Sequence, residues 1–233
     1  MVFASNRADV TIIEARENIQ YLSQKMATDY CLLYNKPTNL KLKKEFEKDI
    51  KLLEENILAI RNTTKNRKTV SILNFYDISL DSIKELLLLS PNQERIKLVL
   101  HASEIFLEGT ASIDRQHLYK YNKEENMLVL TKKIQFLIER ATKYYIAYQT
   151  NQYYDIQLKL SIKNVDKIFK KLEQYKYPKD LKDNFLKSKA IWQRDKVFFR
   201  DIKKSSFPNL LLISTSYIKD LLMSLEKHHK QNL

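Results

Sequence analysis

One glycine, Gly109, stands among 233 residues, where ordinary usage of about 7% would place many more. Phosphate-binding loops, dinucleotide fingerprints and nucleophile elbows all need glycine where backbone closes on a ligand or takes positive φ. Those sites are excluded. Proline is nearly as scarce, at 4, so a sheet of strands joined by tight turns is not expected. The single Cys31 excludes an internal disulfide framework and a multi-cysteine zinc site. The four histidines, His101, His117, His228 and His229, show no His-Glu-x-x-His spacing. No metal and no cofactor is expected. The longest apolar runs, Leu86 to Leu89 and Leu210 to Ile213, are single turns, far short of the roughly 18 residues of a membrane span. No Ser/His/Asp set, di-iron Glu-x-x-His pair or nucleophile with a base stands in the sequence. The chain is not expected to be an enzyme.

What is present is a 44% hydrophobic chain with 14 Tyr, 10 Phe and 1 Trp, which excludes disorder. Its 41 Lys and Arg outnumber 28 Asp and Glu, for a net charge of +13. Residues 1–118 hold only +1 of this and residues 119–233 hold +12. Two readings stand. One is an anionic partner; the other is lysine-rich solvated helix faces, since the excess is Lys, a poor bidentate donor. With no nucleic-acid recognition motif, the excess is expected to spread over solvent faces without a duplex-reading groove.

The chain repeats itself at about 115 residues. Ile19, Gln20, Leu22 and Tyr30 recur as Ile134, Gln135, Leu137 and Tyr145, and Ile50, Leu53 and Ile57 align with Val165, Ile168 and Leu172. Tyr76 falls against Trp192, and Pro91-Asn92 against Pro208-Asn209. Within each copy the apolar period is helical. Ile12, Ala15, Ile19, Leu22, Met26 and Leu33 mark one stripe; Met127, Leu130, Ile134, Leu137, Ala141, Tyr144 and Tyr148 mark the other. Second helices are expected at 38–61 and 152–176, third helices at 66–89 and 179–204, and fourth helices opening at Pro91 and Pro208. Ser90 and Phe207 precede those prolines. The predicted fold is all-α: two tandem up-down four-helix bundles, residues 1–118 and 119–233. A break is expected at Gly109, because glycine costs about 1 kcal/mol inside a helix.

The run Leu22-Ser23-Gln24-Lys25-Met26-Ala27 resembles the signature of PilJ-type domains. These are sensor domains of type IV pilus chemotaxis transducers, related to those of nitrate/nitrite sensor kinases. Ile191-Trp192 resembles a later family element, and the second copy keeps Gln135, Leu137 and Arg140. The resemblance implies a soluble periplasmic sensor that recognises a small molecule and signals through a membrane-bound receptor or another protein. A monomer or homodimer is expected, with no nucleic acid bound. Val2-Phe3-Ala4 resembles the end of a signal peptide. The family's two oxyanion-holding arginines fall on Asn18 and Gln20, and on Lys133 and Gln135; its glycine falls on Glu17. Neutral amides are weaker anion donors than a guanidinium, which favours the second copy. The alternatives are a structural or protein-interaction protein with a degenerate sensor fold, and a basic nucleic-acid binder.

The expected ligand site in the second copy is Lys133, Gln135, Arg140, Tyr144 and Tyr148, suited to a small anion or carboxylate. Helical spacing sets Lys133, Leu137, Arg140 and Tyr144 along one side. The first copy offers Asn18, Gln20, Ser23, Gln24 and Asp29. Asp29 lies on an apolar stripe, either as a ligand contact or buried switch, or at the edge of a slightly rotated helix. Asp195, between Trp192 and Phe199, poses the same choice. Tyr144, Tyr145, Tyr148, Tyr153 and Tyr154 read either as an aromatic-walled pocket or as a packed bundle end. A binding module requires a polar gap near residues 16–25 or 133–145; a scaffold fills it.

Overall fold

The computed structural model describes residues 7–117, 121–204 and 206–233. Among them are eight α-helices and no strand. The chain divides into two compact units, Met1–Lys120 and Tyr121–Leu233. Unit 1 holds α1 (Arg7–Asn35), α2 (Leu40–Thr63), α3 (Arg67–Leu86) and α4 (Gln93–Gln116). Unit 2 holds α5 (Lys123–Tyr148), α6 (Asp155–Leu172), α7 (Lys179–Arg200) and α8 (Pro208–Gln231).

Asparagine caps four of the helices. Asn39, Asn66 and Asn92 cap α2, α3 and α4 by accepting backbone N–H bonds. Asn122 and Glu125 form a reciprocal capping box on α5, each such cap contributing about 1 kcal/mol. In unit 2, α6 and α7 lack a side-chain cap, and α8 opens on Pro208. Asn151, between α5 and α6, takes φ 59°, the left-handed conformation that asparagine tolerates best after glycine.

In unit 1, α1 packs on α2 and α4, and α3 packs on α4 and α2. Unit 2 repeats this order: α5 on α6 and α8, α7 on α8 and α6. With short connections, that is the neighbour order of an up-down bundle. Ile19, Met26, Leu53, Leu73 and Phe106 are fully or almost fully buried in unit 1, as are Ile134, Val165, Trp192, Ile218 and Leu222 in unit 2. Tyr76 and Trp192, paired by the repeat, are both inaccessible. Tyr76 donates to the Phe106 carbonyl at 2.7 Å and Trp192 Nε1 to Asp166 at 2.9 Å.

Several boundaries need correction. The expected break at Gly109 does not exist, since α4 runs through it to Gln116. Glycine is there for packing: a Cβ would lie 2.4 Å from the Tyr76 phenol oxygen. The fourth helix of unit 1 starts at Gln93 behind Asn92, not at Pro91 behind Ser90, because Asn92 supplies the cap. The second helix of unit 2 starts at Asp155 rather than 152, after the turn at Asn151, and ends at Leu172. The third helices stop at Leu86 and Arg200, short of 89 and 204. Val2-Phe3-Ala4, the join at 118/119 and Ser205 lie outside the described residues.

Candidate functional site

The seam of unit 1 is polar, and most of its side chains bond one another, although Gln24 Oε1 has no hydrogen-bond partner among the described residues. Gln24 is inaccessible; its Nε2 donates to the Ser103 carbonyl at 3.0 Å and to Ser23 Oγ at 3.2 Å. Ser23 donates to the Gln20 carbonyl, Gln20 Nε2 to Thr110 Oγ1 at 3.1 Å, and Asn18 Nδ2 to Asn56 Oδ1 at 3.0 Å. Glu17 is buried against Arg16, which also pairs with Asp114. Asp29 is buried, and Lys25 Nζ lies 2.9 Å from it and 2.7 Å from Asp49. Burial opposes the charge on Lys25, but the two carboxylates outweigh it and raise its amine above the usual range.

In unit 2 the expected site residues meet different partners. Lys133 is exposed, while Gln135 Nε2 donates to Glu226 at 3.1 Å. Arg140 and Tyr144 do meet. The guanidinium carbon stands 5.4 Å from the ring centroid, and Nη2 donates to the phenol at 3.3 Å. Lys143 Nζ lies 4.2 Å from the same centroid. Tyr144 packs on Tyr154 at 5.2 Å and Tyr148 on Tyr153 at 4.9 Å. Tyr145 accepts a bond from the Phe207 N–H.

Two clusters escaped the sequence reading. At the end of unit 2 where α5 begins and α8 ends, buried His229 bonds Glu124 through Nδ1 at 2.8 Å and Tyr177 through Nε2 at 3.1 Å. Tyr175 O–H also donates to Glu124. Burial lowers the His229 pKa despite Glu124 beside it. The ring is therefore neutral at neutral pH, with Nδ1–H donating to the carboxylate and Nε2 accepting from Tyr177. Burial works against ionisation of Glu124, yet the bonds from His229 and Tyr175 hold it below the usual carboxylate range. Burial and Glu124 push Tyr175 up to about 12. His229 and Glu124 are 105 residues apart, so no local spacing could reveal them.

The second cluster is the outer face of α6. Lys159, Lys163, Lys167 and Lys170 are all exposed. At 100° per residue they fall within one arc of the helix. With Arg200 from α7 they line an open groove of about 740 Å³. None of the four makes an ion pair among the described residues. Some other lysines of unit 2 are partnered, among them Lys189 by Glu173, Lys196 by Asp166, Lys203 by Asp155 and Lys219 by Glu139. The basic excess reaches other solvent faces of unit 2 as well, with Lys133, Lys176, Lys179 and Lys182 also exposed, but four of its lysines share this one face of α6. Its signal was legible at 159, 163 and 167, an i, i+4, i+8 row.

Asp195 is inaccessible, with Oδ1 3.4 Å from Arg194 Nε. Its Oδ2 has no hydrogen-bond partner among the described residues. Burial pushes its carboxyl up, against the opposing pull of Ser214 and Arg194.

No protein-family model matches the chain, and no curated protein or solved structure matches it significantly.

Proposed function

We propose that the chain is a helical interaction protein, acting by binding rather than catalysis, and that unit 2 engages an anionic partner through α6. The observation that carries this reading is the row Lys159, Lys163, Lys167 and Lys170, exposed and without ion pairs among the described residues. Like charges at i, i+4 destabilise a helix by about 0.2–0.5 kcal/mol per pair, so the row opposes the stability of α6. The one acid of this stretch, Asp166, is engaged by Trp192 and Lys196. It leaves the lysines unneutralised.

The test is salt elution from a polyanionic matrix. Lys159→Glu, Lys163→Glu and Lys167→Glu together should lower the eluting salt well below that of Lys176→Glu, Lys179→Glu and Lys182→Glu, which change the net charge equally. Equal shifts would reduce the effect to net charge and reject the reading.

A second reading, sensing of a small anion in the periplasm, draws support from Arg140 and Lys143 beside the Tyr144 ring. A thermal-shift screen of small anions, repeated on Lys133→Ala and Arg140→Ala, tests it. An anion that stabilises the wild type and neither variant would favour this reading over the first.

A further inference from the structure

Resting on the reading that α6 meets an anionic partner, we infer that the partner is an anionic phospholipid surface. The evidence is what lies among the lysines. Ile156 is 71% exposed and Leu160 49%; at 100° per residue Ile156 falls inside the lysine arc and Leu160 about 20° beyond its edge. Tyr153, 63% exposed, stands just before the helix. The opposite face, Leu158, Ile162, Val165 and Phe169, is buried in the unit 2 core. Thus α6 is anchored on one side and presents bulky apolar groups bordered by cations on the other.

That combination fits a helix lying in the plane of a bilayer interface. Apolar side chains enter the headgroup boundary, while lysine stems snorkel and keep their ammonium groups at the phosphates. At 18 residues, α6 is roughly 27 Å long, enough to bring all four lysines to one surface. Arg200 lines the same groove. A nucleic acid is a poorer match: base and phosphate recognition favours the arginine fork, and Ile156 and Leu160 would gain nothing against a phosphate backbone. An acidic protein would need a complementary apolar socket for the same two residues. A fluid bilayer needs none.

The experiment is co-sedimentation of the full chain with phosphatidylcholine vesicles, alone or with roughly 30% phosphatidylserine. Binding is expected only to the mixed vesicles, weakening as salt rises from about 0.1 M to several-fold more. Reversing Lys159, Lys163 and Lys167 to Glu should lower partitioning by at least about tenfold, since each lysine near an anionic leaflet contributes roughly a factor of five. Ile156→Ser with Leu160→Ser should lower it as well while keeping the preference for phosphatidylserine. All these positions are surface-exposed, and unchanged helical circular dichroism would confirm that the variants fold. An apolar double variant that binds like wild type would overturn the inserted-face inference. So would equal losses from the Lys176, Lys179 and Lys182 reversals. If the chain ignores mixed vesicles but binds polyglutamate or duplex DNA through the α6 lysines, the lipid assignment fails and the anionic-partner reading stands. If it binds none of these, both fall.

Discussion

Gly109 on α4 and Tyr76 on α3 are locked by size. A Cβ on Gly109 would come within 2.4 Å of the phenol oxygen and 2.6 Å of the ring carbon that bears it. The ring cannot yield freely, because it is inaccessible, lies 4.8 Å from Phe106 and donates to the Phe106 carbonyl. In an open helix Gly→Ala adds about 1 kcal/mol of stability. Here overpacking costs about 1–3 kcal/mol. Gly109→Ala is therefore expected to lower the thermal midpoint, and a midpoint raised by the substitution would refute the contact.

Acid should weaken unit 2 through His229. Its folded pKa lies below the ordinary 6.5, so the unfolded chain takes up the proton first. Stability from this group is complete above about pH 6.5 and is lost as pH falls toward the folded value. Glu124, also depressed from its ordinary 4.5, adds a loss of the same sign at lower pH. Thermal melts between about pH 7 and 5 should show a falling midpoint for wild type and a flatter profile for His229→Gln. Parallel profiles would exclude His229 as the cause.

Lys25 holds two buried carboxylates, Asp29 and Asp49. Removing one member of a buried charge group costs about 3–5 kcal/mol, because the remaining charges lose their partner. Lys25 keeps about a quarter of its side-chain surface, so solvent screening reduces this and a loss of about 1–3 kcal/mol is expected for Lys25→Met. Protonating the two carboxylates should recover part of it, so the deficit in urea unfolding should shrink from pH 7 toward pH 5. A deficit independent of pH would mean that packing, not charge, is lost.

Asp195 carries the opposite sign. Its folded pKa is raised above the ordinary 3.8, so its stabilising effect is present in acid and lost as pH rises through the folded value. The carboxylate is inaccessible and its Oδ2 lacks a protein partner among the described residues. Asp195→Asn should therefore match or exceed the wild-type melting point at neutral pH, as an amide escapes the cost of a buried charge. A loss above about 2 kcal/mol would show that the carboxylate is an essential acceptor.

The helical class and the core stripes were legible in the sequence alone, because a 3.6-residue period of apolar side chains is a local property. Ile12, Ile19, Met26, Ile134 and Ala141 are buried where that period puts them. The sequence also determined which helix could carry a row of like charges, since Lys159, Lys163 and Lys167 are spaced by the helix alone. Tertiary structure decided what the polar positions do. Glu139 meets Lys219, Glu124 meets His229 and Gln20 meets Thr110 across 80, 105 and 90 residues, and no local pattern encodes a partner so distant. It also decided Gly109. Taken alone the residue is a helix breaker, but α4 passes through it intact because burial along the helix outweighs about 1 kcal/mol of propensity, and the Tyr76 ring occupies the space that any other side chain would need.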